Sequence, residues 1–416
     1  MILMNPIFHS YVTPPCDCTY QTVNKTTSTI STEQAKADLH TLRYLMENRY
    51  CGWDYYQKQG LSWDSSFQHL QFFLENESEI YISDFCRAIH KAFDAGIVDN
   101  HLSFCSPLTG RLSYRKQFTA YFADFQVEEI ENGHLVVESA CPGIAIGDRI
   151  EAPDSLFPTL SPNERKRYLV GMRSFSPISH MVVMVNGHTI QVPLHRCKAI
   201  HKTEDRDVCL RHTAKDGIDI LRANCCDYVG GLTEDADLVA LGKQFEDKDY
   251  LILNYLSNEG GYNRITREFI RGLNSYVHAS EHSIKLISPV TEGKDCLRQW
   301  VALSDAEPYD HSKANFDGTL ILLVNSDTAS SGESAVLYAR SCKNLLLIGE
   351  NTMGCNTFGN VESYELPHSR IVCRIPNVIN LCPNHNDCLE GYGFVPDYWV
   401  DSEDVEGEVL NWLKGL

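Results

Sequence analysis

The sequence predicts an α/β protein in which a helical N-terminal region and a β-rich middle segment precede a core of alternating strands and helices. Apolar residues recur at helical spacing over roughly the first hundred residues, and short strand-and-turn patterns follow from about 115 to 196. Beyond residue 215, apolar strands alternate with helices, which is typical of a parallel sheet joined by crossover helices. The length of 416 residues also predicts two or three compact units.

These patterns divide the chain into four segments. We expect residues 1–30 to form an irregular arm, residues 31–112 a helical region, residues 113–200 a β-rich module and residues 201–416 the α/β core. The arm contains consecutive prolines, whose rings fix an extended backbone.

The helical region opens with a capping signal. Ser31 or Thr32 can accept hydrogen bonds from the first N–H groups of a helix. Three runs of apolar residues at helical spacing follow. We therefore expect a mainly helical region up to about residue 106, whose third helix ends in Gly96, ahead of Asp99-Asn100-His101.

The β-rich module contains a clear hairpin pattern. Asn186-Gly187 separates the apolar runs 181–185 and 189–194, and this dipeptide favours a tight turn between strands. Residues 143–150 (GIAIGDRI) resemble the turn of a PDZ domain, a small module that captures peptide ends by strand addition. The resemblance implies a PDZ-like module, and a plain β-insertion is the alternative.

Composition and charge exclude several function classes. The formal charge of −19 argues against binding to nucleic acid or to anionic membranes, which require a basic surface. No stretch reaches the roughly 18 apolar residues of a membrane span. The first residues lack a secretory signal, so we expect a cytoplasmic protein, with a mature secreted form as the alternative.

The 16 cysteines lack the spacing of a disulfide framework, and we expect most of them to be buried thiols. Cys382, His385 and Cys388 could supply three metal ligands, but a fourth ligand and the usual spacing are missing. We therefore expect neither a metal nor another cofactor.

The segment with the most chemical information is residues 323–333 (LVNSDTASSGE). An apolar strand runs into a turn of small residues, and a helix follows at once. Such a turn can expose a side chain beside the free N–H groups at a helix N-terminus. That environment suits a nucleophilic serine whose substrate develops an oxyanion, although a serine-rich helix cap is the simpler interpretation of this segment alone.

Residues 328–333 (TASSGE) are similar to the nucleophile turn of the tail-specific (C-terminal-processing) serine peptidases, a family that includes the core of tricorn protease. Further resemblances follow in residues 258–261 (NEGG), 348–354 (IGENTMG) and 393–397 (GFVPD), and the likeness extends over about residues 31–401. The resemblance implies a crotonase/ClpP-like core and assigns Ser330 as the nucleophile.

The resemblance also bears on the catalytic base. Many members of this family place a lysine directly after the Thr-x-Gly turn, where this sequence has Cys355. The tricorn-like branch instead uses an N-terminal histidine and a C-terminal glutamate, which match His101 and Glu390. Because imidazole has an ordinary pKa of about 6.5, we expect kcat/KM to rise between about pH 6 and 7.5.

The resemblance implies that backbone N–H groups stabilise the oxyanion. The candidate donors are Ser331 together with Gly260 or Gly261. Asn254 and Leu256 stand where the family has Asp-x-Arg, and this departure concerns substrate alignment.

The predicted function is a serine endopeptidase acting on peptides or unfolded proteins, with homo-oligomer formation left open. Two alternatives use related scaffolds. One is a catalytically weak or inactive peptide-binding protein, comparable to the retinoid-binding proteins of the eye, which resemble the family. The other is a crotonase-like acyl-CoA enzyme, whose site needs paired oxyanion donors but no serine nucleophile. The set Ser330, His101 and Glu390 favours the peptidase.

Overall fold

The computed structural model of the chain describes residues 28–75, 77–94, 96–151, 155–163, 165–199, 209–227, 234–288, 297–382 and 389–415. Its α-helices within these ranges are α1 (Thr32–Arg49), α2 (Gly52–Lys58), α3 (Trp63–Leu74), α4 (Ile82–Asp94), α5 (Asp235–Lys243), α6 (Arg264–Asn274), α7 (Ser331–Ala339) and α8 (Val405–Gly415).

The strands of the same ranges are β1 (Thr29–Ser31), β2 (Glu79–Tyr81), β3 (Asp99–Ser106), β4 (Gly110–Tyr114), β5 (Thr119–Ile130), β6 (Gly133–Ser139), β7 (Arg149–Glu151), β8 (Leu156–Thr159), β9 (Arg167–Ser174), β10 (His180–Val185), β11 (His188–Pro193), β12 (His195–Arg196), β13 (Arg211–Lys215), β14 (Ile218–Arg222), β15 (Tyr250–Asn254), β16 (His282–Ile287), β17 (Gln299–Ser304), β18 (Thr319–Val324), β19 (Asn344–Gly349), β20 (Phe358–Glu365), β21 (Val372–Leu381) and β22 (Tyr398–Trp399).

The chain forms two compact units, and the helical one combines Met1–Lys116, Glu281–Ala306 and Thr357–Pro383. Its six-stranded sheet has the order β17-β16-β21-β3-β4, with β20 paired to β21, and these pairings are antiparallel. Helices α1 to α4 share one apolar core with this sheet. Trp53 and Trp63 stack in that core with ring centroids 4.6 Å apart.

Helix α1 begins with the predicted cap. The Ser31 hydroxyl accepts the Gln34 N–H, and the Gln34 side chain accepts the Ser31 N–H, which completes a capping box. The cap is therefore Ser31 and not Thr32.

The second unit combines Gln117–Ser280, Glu307–Asn356 and Asn384–Leu416 and is built on a 14-stranded mixed sheet. The parallel strands β14, β15, β18, β19 and β22 lie side by side in this sheet. Helix α5 packs on α6, and α6 packs on α7. The α/β class predicted from the alternation of strands and helices is confirmed.

The middle of the sequence continues the same sheet with antiparallel strands. The predicted hairpin is confirmed, because β10 pairs with β11 around Asn186 and Gly187, whose φ angles are 49° and 79°. Apolar side chains of β5, β6, β9, β10 and β11 form a hydrophobic cluster separate from the one beneath the parallel strands. The PDZ-like resemblance of residues 113–200 stays a prediction.

The structure corrects the predicted extent of the helical region. Its last helix ends at Asp94, and residues 99–106 and 110–114 form the paired strands β3 and β4. The predicted helix end at Gly96 is close to the observed one, and His101, a few residues further on, lies on strand β3. The predicted arm falls almost entirely outside the described residues. No helix in the described part of the chain is long and apolar enough to span a membrane.

Candidate active site

Ser330 occupies a sharp turn between β18 and α7. Its backbone angles are φ 52° and ψ −119°, a region that side-chain-bearing residues rarely adopt. Holding a residue there costs on the order of 1–3 kcal/mol, and such strain clusters at functional sites. The turn leaves Ser330 half-buried directly ahead of the first residue of α7.

Hydrogen bonds to two neighbouring loops hold this turn. The Ala329 N–H donates to the Asn258 carbonyl at 2.9 Å, and the Met353 N–H donates to the Thr328 carbonyl at 2.9 Å. The Ser330 N–H donates to Cys355 Sγ at 3.0 Å. The strained conformation is thus fixed by contacts on both sides of the serine.

Gly260 lies directly against the turn that carries Ser330. A Cβ atom at this position would come within 2.9 Å of both Ser330 Cβ and the Ser331 nitrogen, and the φ angle of Gly260 is 101°. Both the close approach and the positive φ require glycine here. The fold therefore brings together residues 258–261 and residues 328–333, the two loops that the sequence singled out.

The two candidate glycine donors differ in their hydrogen bonds. The Gly260 N–H donates to Asn258 Oδ1 at 2.9 Å, so it is already engaged. The Gly260 carbonyl accepts the Cys226 N–H at 3.1 Å. Because a trans peptide directs its carbonyl and N–H to opposite sides, the Gly261 N–H faces away from Cys226.

Gly261 and Ser331 are also linked to each other. The Ser331 hydroxyl donates to the Gly261 carbonyl at 2.6 Å. Within the described part of the chain, the N–H groups of both residues donate to no backbone carbonyl. The Ser331 N–H is one of the orphan donors that begin every helix, here at the start of α7. These two groups are the donors that this site leaves open.

Glu333 is a buried carboxylate that sequence analysis missed. Its oxygens accept the Thr352 hydroxyl at 2.6 Å, the Gly354 N–H at 2.9 Å and the Cys355 N–H at 2.6 Å. Burial raises the pKa of Glu333, and these hydrogen bonds oppose the rise. The only sequence feature that could have indicated this role is its position three residues after Ser330, within the first turn of α7. Glu333 thereby fixes the turn that carries Cys355.

Cys355 follows directly after Gly354 and is buried. Burial raises the pKa of this thiol well above its ordinary value, and the charges of Glu333 and Glu390 add to the rise. The side chain is therefore a neutral thiol that accepts the Ser330 N–H, and it has no thiolate character.

Glu390 lies on a loop bound to the same turn. The next residue, Gly391, donates its N–H to the Gly354 carbonyl at 2.6 Å. Gly354 has no room for a side chain, because a Cβ there would lie 2.5 Å from the Tyr392 nitrogen. The second unit thus brings together Ser330, Cys355 and the loop of Glu390.

His101 belongs to the helical unit, on β3. Burial, together with the positive charges of Arg111 and Arg374, lowers its pKa to about 4. Both arginines share the sheet with His101, since Arg374 pairs with Ser103 and Arg111 pairs with Cys105. The imidazole is therefore neutral at physiological pH.

The cysteines are mostly buried thiols, among them Cys86, Cys209 and Cys373. Cys382 is disulfide-bonded, which removes its sulfur from the metal ligands considered above. His385 and Cys388 lie outside the described residues.

The fold and site define an α/β protein with a serine on a strained strand-to-helix turn, next to open backbone N–H donors. Residues 231–400, less than half of the chain, match the sequence model of peptidase family S41. This segment contains the Gly-Gly loop, Glu390 and the turn that carries Ser330. The match supports a protease of that family, and it does not distinguish a histidine base from a lysine base.

Three solved structures of related shape share little sequence with the chain. Mature CPAF has 12% identity and a TM-score of 0.46, covering 92% of this chain and 97% of its own. The photosystem II D1 C-terminal processing protease has 16% identity and a TM-score of 0.41, covering 92% and 96%. Tricorn protease has 12% identity and a TM-score of 0.38, covering 90% of this chain and 35% of its own. At these values, none of them supports a residue role here. No curated protein matches the sequence.

Proposed function

We propose that the chain is a serine-type endopeptidase with Ser330 as nucleophile, His101 as general base and Glu390 as the third member of the catalytic set. The observation that carries the proposal is the backbone of Ser330, with φ at 52° immediately before α7. A strained strand-to-helix turn that presents a serine beside helix N–H groups is the arrangement of a nucleophile elbow.

In the proposed mechanism Ser330 Oγ attacks the carbonyl carbon of a peptide bond while His101 takes the hydroxyl proton. The oxygen of the tetrahedral intermediate accepts hydrogen bonds from the N–H groups of Gly261 and Ser331. Loss of one such donor typically costs about 3 kcal/mol of transition-state stabilisation. His101 then gives the proton to the leaving amine, and water hydrolyses the acyl-enzyme by the same steps in reverse.

The roles of the two glycines differ in this proposal. Gly261 supplies a donor, because the Cys226 N–H fixes the Gly260–Gly261 peptide from its other side. Gly260 supplies space for Ser330 and Ser331. The Ser331 hydroxyl holds the Gly261 carbonyl, so it positions the donor and takes no part in bond breaking.

Glu390 is proposed to orient His101 or to polarise the serine through an intervening group. The support is its place on the loop bonded to Gly354, next to the turn that contacts the Ser330 N–H. Cys355 is excluded as a base, since a thiol with a strongly raised pKa holds its proton at neutral pH.

The proposed substrates are peptides or unfolded protein segments, and residues 113–200 are proposed to select them. Most buried apolar residues of this β-rich stretch form a separate hydrophobic cluster, while others, among them Ala120, Phe122 and Leu169, join the one beneath the parallel strands. It contributes no residue to the proposed bond-breaking steps.

A peptide-library digest with purified variants tests the proposal. Ser330→Ala should lower hydrolysis by on the order of 10⁶-fold, because the nucleophile of a triad acts together with its base. Ser331→Ala is the matched control, one residue away, and should lose only about tenfold through a looser Gly261. If Ser331→Ala is inactive while Ser330→Ala remains active, the nucleophile is Ser331 and not Ser330. A wild-type protein that cuts nothing yet binds peptides would favour the peptide-binding alternative.

A further inference from the structure

His101 lies within an irregular stretch of its strand. Asp99 pairs with Tyr114 and Ser103 pairs with Ser113, so the register advances four residues along β3 but one along β4. This irregular bulge is larger than the common one-residue kind and leaves residues 100–102 outside the regular ladder. Bulges redirect the side chains that they contain, and they recur next to active sites.

Asp99 holds the bulge from inside. Its Oδ1 accepts the His101 N–H at 2.8 Å and the Leu102 N–H at 2.9 Å. The carboxylate is completely buried, and burial raises its pKa to about 6 against the opposing effect of these bonds. The amides that leave the ladder at the bulge thus find their acceptor in one side chain, as buried N–H groups must.

Tyr50 fixes the other oxygen of the same carboxylate. This residue follows α1, is fully buried, and donates its hydroxyl to Asp99 Oδ2 at 2.8 Å. Gly52 makes room for the ring, since a Cβ there would lie 2.4 Å from the Tyr50 hydroxyl. A rigid aromatic side chain from the helical layer therefore sets the position of Asp99.

We propose that Asp99, braced by Tyr50, is the positioning residue that aims His101. The bulge places the imidazole, Asp99 fixes the bulge through the His101 and Leu102 amides, and Tyr50 fixes Asp99. This inference rests on the proposed function for its catalytic meaning, while the link from Asp99 to His101 can be measured without any activity.

Asp38 offers a matched control within the same unit. It is also completely buried, and its carboxylate accepts two successive backbone amides, those of His368 at 2.9 Å and Ser369 at 2.7 Å. Removal of either aspartate leaves two backbone N–H groups without their acceptor. The two losses should destabilise the fold comparably, but only Asp99 is bonded to the backbone of His101.

The experiment compares Asp99→Ala, Asp99→Asn, Tyr50→Phe and Asp38→Ala in the full chain. Carbon-13 NMR of histidine Cε1, with the His101 signal assigned by its loss in His101→Gln, follows the imidazole through a pH titration. Kinetics on a peptide that the wild type cuts give kcat and KM separately.

We expect the His101 signal to shift in Asp99→Ala and Tyr50→Phe and to stay in place in Asp38→Ala. Asp99→Ala should lower kcat by about 10²-fold with little change in KM, as a small misplacement of a catalytic group does. Asp99→Asn keeps an oxygen for both amides and should recover most of that loss.

Equal behaviour of Asp99→Ala and Asp38→Ala in both measurements would overturn the inference. If Asp99→Ala does not fold, an unshifted His101 signal in Tyr50→Phe would overturn the inference instead. If neither the wild type nor any variant cuts a peptide, the proposed endopeptidase function is wrong. The NMR comparison would still decide whether Asp99 positions His101.

Discussion

Ser330 combines an unfavourable backbone conformation with a full set of supporting contacts. The carbonyl of Asn258, the sulfur of Cys355 and the first turn of α7 each hold part of the turn. In the proposed mechanism, a serine held in this way is already oriented before the substrate binds, so the catalytic step does not have to supply the entropy cost of orienting it. The cost in stability is met by the surrounding fold, as is common at functional sites.

The lowered pKa of His101 leads to a prediction for the pH dependence of kcat/KM that differs from the one made from sequence. Because burial and two arginines lower its pKa to about 4, the imidazole remains neutral, and able to accept a proton, well below pH 6. We expect kcat/KM to rise through an ionisation near pH 4 and not between pH 6 and 7.5. Arg374→Gln removes a positive charge and should move this rise to higher pH.

The control for that pH profile is Arg87→Gln, which removes an exposed arginine of the same unit on α4. It should leave the rise where the wild type has it. A rise between pH 6 and 7.5 that is identical in all three proteins would contradict the assigned environment of His101.

At the level of single residues, sequence could suggest the nucleophile but not its supports. Ser330 is recognisable because its neighbours in the chain are small and a helix follows. Asp99 and Tyr50, by contrast, are 49 residues apart, and Glu333 acts on residues 352–355. Hydrogen bonds between distant segments leave no periodic pattern in a sequence.

At the level of elements, the parallel strands bring the functional loops to one edge of the sheet. Strands β15, β18 and β19 are adjacent and parallel, and the Gly-Gly loop, the nucleophile turn and residues 350–355 follow their ends. Loops at the carboxyl ends of neighbouring parallel strands lie close together, which is why such edges hold many active sites.

Glu350, at the end of β19, gives a prediction about stability. It is completely buried, accepts the Ser326 N–H at 3.4 Å, and faces Arg173, Arg196 and the thiol of Cys197. Burial raises its pKa from 4.5 to about 7. A carboxyl group with a raised pKa in the folded state favours folding while it is protonated, so the free energy of unfolding should fall as pH rises from about 4.5 to 7.

Glu350→Gln should therefore stabilise the protein at pH 8 by about 3 kcal/mol and change little at pH 4.5. Urea unfolding at the two pH values measures this difference. The exposed Glu138→Gln of the same unit serves as the control and should not alter the pH dependence. A Glu350→Gln protein that is less stable than wild type at pH 8 would show that the ionised carboxylate is favourable where it lies.

Strand prediction succeeded where the pattern was strongly apolar and failed where polar residues interrupt it. The apolar strands β15, β18 and β19 and the hairpin β10–β11 were recognisable from sequence. Strand β3 was not, because Asp99-Asn100-His101 looks like the end of a helix. Its conformation depends on pairing with β21 and β4, which sequence periodicity does not report.

At the level of the whole molecule, each compact unit is assembled from three separate stretches of chain. Periodic sequence patterns report on neighbours along the chain, so they predict the α/β class but not which distant segments share a sheet. The proposed catalytic residues are likewise far apart in sequence, as in other triads that folding assembles.

Ser330 is proposed to be an activated nucleophile. Labelling with a fluorophosphonate, followed by mass spectrometry of the digested protein, tests this claim without knowledge of the natural substrate, because the reagent forms a stable bond only with an activated serine. We predict a single adduct on the peptide that contains Ser330, located at that residue by fragmentation, no adduct in Ser330→Ala, and strongly reduced labelling in His101→Ala. A folded wild-type protein that remains unlabelled, or that is labelled at another serine, would contradict the account.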